Sequence, residues 1–176
     1  MEPSIREGIH GGIFYRDEAH LNPWKFVTGL AQRFQQQGGD IQTGTEVLGL
    51  ETSGKRIVTV RTNRGDYRPE QVVLAAGSWS SAIAQNLRVD LPVQPAKGYS
   101  VTFDKPAKCP TVPLMLAEAK MGITPMGQLM RIAGTLELSG INLRIDPRRL
   151  AAIVRTADDY LVADISSMSG ESWCGM

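Results

Sequence analysis

Apolar residues recur at helical spacing in two parts of the chain. In residues 23–37, Phe26, Leu30 and Phe34 form one apolar stripe, which follows an Asn-Pro start and ends at a Gly-Gly pair. A second stripe fills residues 147–161 and follows an aspartate that can cap the first turn. The pattern therefore predicts two amphipathic helices, over 23–37 and 147–161.

Alternating apolar and polar positions predict strands between these helices. Residues 41–50 and 57–62 are rich in Thr, Val and Ile, and a turn after the second run leads to a short strand around Tyr67. This arrangement is typical of a small β-meander. Residues 71–76 contain a continuous apolar run, which predicts a strand buried on both faces of a layered α/β sheet, followed by a short helix.

Between Leu91 and Leu114, five prolines interrupt the chain, and short strand-like stretches occur from there onward. The best of these are residues 99–103, 113–116 and 129–135, and they predict a mostly antiparallel sheet. The fold class is therefore α/β joined to α+β. We predict two domains, with residues 1–90 forming an α/β part with a β-meander and residues 91–176 forming an antiparallel sheet with a helix.

Composition excludes several functions without choosing one. The 176 residues carry 19 Lys and Arg against 18 Asp and Glu, so no strong field recruits nucleic acid. Cys109 and Cys174 lie far apart and have no ligand partner at metal-binding spacing, so no metal site is expected. The chain shows no export signal and no apolar run of membrane-spanning length, and a cytoplasmic location is expected.

The stretch from Val72 to Ser80 carries the clearest chemical signal. Its apolar run ends in Ala75, Ala76 and Gly77, small residues that let a cofactor approach the backbone, and a helix start that follows favours an anion such as a pyrophosphate. The alternative is that the small residues only allow tight packing of a strand against a helix. The residues by themselves give both interpretations equal weight.

The same stretch resembles the VVxAAGxWS signature of the FAD-dependent D-amino acid oxidase superfamily. Other motifs follow in that family's order, and residues 91–100 are similar to the PVxPxKGYS crossing of its bacterial D-amino acid dehydrogenase branch. Residues 11–23, 44–47, 123–125 and 131–137 also resemble family segments. The resemblance covers nearly the whole chain.

The resemblance implies an FAD enzyme that dehydrogenates a D-amino acid or related amine to an imino acid, which water hydrolyses to a keto acid and ammonia. An electron acceptor would complete the reaction, and only a full-length protein is expected to contact a membrane surface, from the cytoplasmic side. The implied residues fall into two groups, with no catalytic protein residue. The FAD-bordering group is Val47, Ala75, Ala76, Gly77 and Trp79, and the substrate-binding group is Tyr99 and Arg131.

Two family features are missing from the sequence. No GxGxxG phosphate turn occurs, and Trp173-Cys174-Gly175-Met176 matches only the start of a W-x-G-x-R-P segment whose Arg pairs with the substrate carboxylate in relatives. We therefore expect an internal fragment of a larger flavoenzyme, with a partial, Rossmann-like FAD-binding domain at 1–90 and a partial substrate-binding domain at 91–176. Alone, such a fragment is expected to be inactive and not to retain FAD.

Several alternatives stay open at this stage. The substrate can instead be glycine, sarcosine, another N-methylated amine or a 2-hydroxy acid. Residues 121–125 also lack the tyrosine that D-amino-acid-oxidising relatives often place there, which weakens the assignment of the substrate. The chain can also be a non-catalytic binding or assembly module. Tyr99 can be an ordinary strand aromatic, Arg131 and Arg144 can be solvent-facing, and two isolated histidines, His10 and His20, are more typical of a surface than of catalysis.

Overall fold

Two sheets organise the chain. The computed structural model describes residues 2–176, and antiparallel pairing accounts for both sheets. One has three strands in the order β1-β2-β3, and the other has five in the order β5-β6-β7-β4-β8. The strands are β1 (Val47–Ser53), β2 (Arg56–Thr62), β3 (Gly65–Tyr67), β4 (Lys97–Asp104), β5 (Leu114–Leu116), β6 (Met121–Met126), β7 (Leu129–Glu137) and β8 (Gly170–Gly175).

Three α-helices accompany the sheets: α1 (Pro23–Gln36), α2 (Ser80–Gln85) and α3 (Pro147–Tyr160). A 3₁₀ turn, Gly77–Trp79, leads directly into α2. Asp146 caps α3, because its side chain accepts a hydrogen bond from the backbone N–H of Arg148, and Pro147 fills the first helical position. Both predicted amphipathic helices and the meander are confirmed, and so is the mixed α/β fold class with an antiparallel sheet.

The chain forms two compact units. Unit 1 contains the residues up to Asn22 together with Ala96–Met176, and unit 2 is Pro23–Pro95. The first segment joins unit 1 because Arg6 and Ser4 exchange backbone hydrogen bonds with Tyr160 and Val162, at the end of α3. The compact units therefore begin and end at other residues than the predicted domains 1–90 and 91–176.

Unit 1 has a well-formed core on one face of its five-stranded sheet. Ile153 and Ala157 of α3 pack against the sheet, and both are almost fully buried. The sheet contributes fully buried residues such as Ile123, Met130 and Ile132. No helix or strand of unit 1, within residues 2–22 and 96–176, packs as a second layer on the opposite face of this sheet.

Unit 2 buries very little apolar surface. Ala84 is its one buried hydrophobic residue among those described. The apolar stripe of α1 is exposed, with Trp24 at 72%, Val27 at 61% and Leu30 at 60%. In residues 2–176, no helix is both long enough and apolar enough to cross a membrane.

The predicted strand at residues 71–76 is wrong. This segment pairs with no described strand, and Val73 is 88% exposed. A strand needs neighbours for its backbone hydrogen bonds, and the three strands of unit 2 form a separate sheet that does not include it. The apolar run is therefore present without the sheet that would bury it.

Candidate functional site

The turn before α2 is built by glycine and small residues. Gly77 has φ of +52°, a left-handed conformation that residues with a side chain adopt with strain. The N–H of Trp79 donates to the carbonyl of Ala76 at 3.0 Å, which closes the turn. A Cβ atom at Gly77 would have no heavy atom within 4 Å. The space beside the turn is therefore free for a ligand to approach its backbone.

The predicted FAD-bordering residues all lie in unit 2. Ala75 and Gly77 are exposed, Ala76 is half-buried, Trp79 is 44% exposed and Val47 is 38% exposed. Strand β1 approaches the end of α2 closely, because a Cβ atom at Gly49 would lie 2.9 Å from the side-chain oxygen of Asn86. Accessible small residues and a free backbone fit the edge of a dinucleotide, whereas the chain has no GxGxxG turn to hold its pyrophosphate.

The five-stranded sheet separates the two predicted substrate-binding residues. Side chains alternate between the faces of a strand, and Tyr99 belongs to the core on the α3 side. Arg131 pairs with Thr102 on the opposite face, where its Nε donates to Thr102 Oγ1 at 3.0 Å. We call that side the open face, and its central residues are Ser100, Thr102, Gly122, Arg131 and Ala133. The sheet therefore lies between Tyr99 and Arg131.

On the α3 side, Tyr99 belongs to a buried polar cluster. Its hydroxyl donates to Glu137 Oε2 at 2.5 Å, and Lys97 Nζ lies 3.3 Å from Glu137 Oε1. Lys97 is 1% exposed and also donates to the carbonyl of Arg144 at 2.9 Å. Arg149 Nε contacts Glu137 Oε2 at 3.2 Å. The cluster ties the start of β4 and the end of β7 to the segment that enters α3.

The charges in this cluster stabilise each other. Hydrogen bonds from Ser139 and Tyr99, followed by the bond and charge of Lys97, lower the pKa of Glu137 to about 2, although burial opposes this shift. Burial alone would lower the pKa of Lys97, but hydrogen bonds to Tyr99 and Glu137 and the negative charge of Glu137 raise it. Both groups are therefore charged near neutral pH.

A cavity of about 560 Å³ lies beside the cluster, with Arg144 and Arg148 in its lining. Sequence reasoning did not find the ion pair of Lys97 and Glu137, because 40 positions separate these residues. The pairing is visible in the strand register, where Lys97 at the start of β4 lies opposite Glu137 at the end of β7.

Neither His10 nor His20 joins this cluster, and both are exposed. In the described residues, no group of acidic, Cys and His side chains could hold a metal ion.

Mixed α/β units with a glycine turn before a helix and an antiparallel sheet are similar to FAD-dependent oxidoreductase folds, and the family comparison identifies the class. The chain belongs to the DAO family, FAD dependent oxidoreductase, whose model matches residues 1–176. This membership confirms the resemblance seen in the sequence.

Named relatives agree with the family. The chain is 33% identical over 180 residues to a D-amino acid dehydrogenase of Phenylobacterium zucineum, covering 99% of this chain and 42% of that protein. It is 34% identical over 189 residues to a D-amino acid dehydrogenase of Dechloromonas aromatica, covering 100% of this chain and 44% of that protein. The chain thus spans less than half the length of these curated relatives.

Solved structures give the same fold. The glycine oxidase of Bacillus cereus ATCC 14579 superposes with a TM-score of 0.84 at 25% identity, covering 99% of this chain and 48% of that one. A second structure, the glycine oxidase of Geobacillus kaustophilus, has a TM-score of 0.74 at 21% identity, covering 85% of this chain and 40% of that one. The similarity extends through both units.

Proposed function

We propose that the complete protein is an FAD-dependent D-amino acid dehydrogenase, which converts a D-amino acid to an imino acid that hydrolyses to a keto acid and ammonia. The observation that carries the redox class is the turn at Ala75, Ala76 and Gly77, whose backbone is exposed and whose glycine has a positive φ. The two curated relatives named D-amino acid dehydrogenase, which match along the whole chain, support this substrate class.

In this proposal the chain contributes binding and orientation. Val47, Ala75, Ala76, Gly77 and Trp79 border FAD, mainly through backbone and packing. Bound flavin supplies the redox chemistry by accepting hydride from the substrate carbon.

Arg131 binds the substrate carboxylate on the open face in this proposal. Its guanidinium can form paired hydrogen bonds with a carboxylate, and Thr102 fixes its orientation. Tyr99 has a different role, because its hydroxyl is bonded to Glu137 on the other face. It positions β4 against the cluster. A cytoplasmic location and an electron acceptor complete the proposal.

A spectroscopic and kinetic experiment tests this function. The complete protein, as its gene encodes it, is expected to show flavin absorption bands and to reduce an artificial electron-acceptor dye when a D-amino acid is added. The panel includes the L-enantiomers, glycine, sarcosine and a 2-hydroxy acid. Dye reduction only with glycine, sarcosine or the hydroxy acid would overturn the substrate class, and a colourless protein would overturn the flavin assignment.

Arg131→Gln is expected to raise KM for the D-amino acid at least tenfold, because it removes the charge that pairs with the carboxylate. The matched control is Arg68→Gln, which removes the charge of an exposed loop arginine in unit 2.

The 176-residue chain alone is expected to lose added FAD during gel filtration, because its sequence has no glycine-rich phosphate turn. Retained stoichiometric flavin would contradict that expectation.

A second candidate function, an assembly module, is favoured by the exposed apolar stripe of α1. Surfaces of this kind are typical of interfaces. If the chain assembles through α1, Leu30→Glu is expected to convert associated chain to monomer in sedimentation velocity. Gln32→Glu, which adds the same charge at an exposed polar position, is the control. A chain that is monomeric without any substitution would refute this second function.

A further inference from the structure

The cavity on the α3 side of the sheet carries more positive than negative charge. Its lining contains four cationic side chains and two carboxylates, which gives a net charge of +2. These charged residues are Lys97, Glu137, Arg144, Asp146, Arg148 and Arg149. All of them belong to unit 1, whereas the predicted FAD-bordering residues lie in unit 2. We call this cavity the arginine pocket.

The two carboxylates of the pocket already have partners. Glu137 forms ion pairs with Lys97 and Arg149, at 3.3 and 3.2 Å. Asp146 caps α3 through a backbone N–H, and within residues 2–176 it makes no ion pair. The remaining two arginines of the pocket are therefore not neutralised by its carboxylates.

Several guanidinium donors of the pocket are available to a ligand. Arg144 and Arg148 are exposed, and in the described part of the chain their guanidinium groups make no hydrogen bond or ion pair. Arg149 contacts Glu137 through Nε, which leaves its two terminal nitrogens for another acceptor. One cavity therefore combines two unpaired guanidinium groups with a third that is anchored in place.

Hydrogen bonds hold the backbone that carries the two unpaired groups. Lys97 Nζ donates to the carbonyl of Arg144 at 2.9 Å, and the N–H of Arg144 donates to Asn142 Oδ1 at 2.8 Å. The N–H of Arg148 donates to Asp146 Oδ1 at 2.9 Å. A backbone that is already held in place lowers the entropic cost of ordering these side chains around a ligand.

We propose that the arginine pocket binds a phosphate monoester, whose terminal oxygens accept hydrogen bonds from Arg144, Arg148 and Arg149. Guanidinium groups match phosphate oxygens with paired hydrogen bonds. A phosphate monoester carries a charge of about −1.5 to −2 near neutral pH, which balances the lining, whereas a carboxylate carries a single charge. The volume of about 560 Å³ is within the range of small-molecule sites, roughly 300–1,000 Å³, so the pocket also has space for the organic group.

Calorimetry with two matched probes tests the pocket. The complete protein is first saturated with FAD, so that phosphate sites belonging to the dinucleotide are filled. Phenyl phosphate is compared with benzenesulfonate, which has the same ring but only one negative charge. At physiological ionic strength, where long-range attraction is screened, we expect phenyl phosphate to bind at least about tenfold more tightly.

Substitutions locate the binding. Arg144→Gln combined with Arg148→Gln is expected to weaken phenyl phosphate at least about tenfold, because it removes two charged donors. Arg155→Gln is the matched control: it removes another exposed arginine of α3, outside this cavity, and should change affinity less than about twofold. Asp146→Asn keeps a capping side chain but removes a negative charge, so it should strengthen binding at least about twofold. Thermal melting verifies that each variant is folded.

Hydrogen exchange gives a second, independent measurement. Phenyl phosphate is expected to slow the exchange of amides in residues 142–150, and protection confined to other residues would overturn the proposal. So would no binding of phenyl phosphate, equal affinity for benzenesulfonate, or equal losses in Arg155→Gln and the double variant. A protein that oxidises no amino acid but keeps its preference for phenyl phosphate would overturn the proposed function and leave the arginine pocket as a phosphate site.

Discussion

Gly170 is a position in unit 1 where one added methyl group should meet buried core side chains. It begins β8 and pairs with Phe103 of β4. A Cβ atom there would lie 2.6 Å from Phe103 Cε1 and 2.6 Å from Val101 Cγ1. Carbon atoms pack at about 3.5–4.0 Å, so both side chains would have to move by roughly 1 Å. Both are buried, at 2% and 4% exposure, in the packed core.

Gly170→Ala is therefore expected to destabilise unit 1 by about 1–3 kcal/mol, the usual cost of overpacking a core. With a urea m-value of about 1–3 kcal/mol/M, a loss of about 2 kcal/mol lowers the unfolding midpoint by about 0.7–2 M. Gly122→Ala is the matched control in the same sheet. Its Cβ meets open space, so the expected change is within about 0.5 kcal/mol.

Urea titration by circular dichroism, with hydrogen exchange of the β4 amides, measures both variants. Hydrogen exchange assigns the change to this sheet, since the chain has two compact units. Equal midpoints for Gly170→Ala and Gly122→Ala would refute the reasoning. So would a loss of protection confined to residues outside β4 and β8.

Three further predictions concern the rest of unit 1. The pKa of Glu137 is lowered from 4.5 to about 2, so its contribution to stability is complete above about pH 4.5 and is lost as the pH falls towards 2; Glu137→Gln should flatten this part of the stability curve measured by thermal melting. Asp146→Ala should cost about 1 kcal/mol in urea unfolding because it removes the α3 cap, while Asp146→Asn should cost less, and equal losses would contradict the capping role. Ile132→Ala should cost about 2–5 kcal/mol, whereas Leu136→Ala, at a 69% exposed position, should cost less than about 0.5; similar urea midpoints would show that burial does not decide the difference.

Local patterns were sufficient for α1, α3 and the meander, because caps, apolar spacing and turn residues lie within each element. They failed for residues 71–76, where an apolar run implied burial that depends on neighbouring strands. They also missed β8, since Gly170, Glu171 and Ser172 have little strand preference. Pairing with β4 makes this segment a strand.

Site geometry depended on long-range register, which the sequence does not display. The sheet register contains an irregularity between Gly98 and Tyr99, and Thr135 has φ of +60°, which is rare for a β-branched residue. Counting positions from either strand alone does not reveal that Tyr99 and Arg131 lie on opposite faces. The family resemblance identified the enzyme class, whereas the placement of these two side chains on opposite faces became visible only when β4 and β7 were aligned.

The division of unit 1 between two stretches of chain has a consequence for its synthesis. Ser4 accepts a backbone hydrogen bond from Val162, and unit 2 lies between the two stretches in sequence. A ribosome adding about 5–20 residues per second needs roughly 7–28 s to travel from Asn22 to Val162. During that interval the first segment has no α3 to bind, while all of unit 2 is made. The last turn of α3 therefore sets the earliest moment at which residues 2–22 can take their native place.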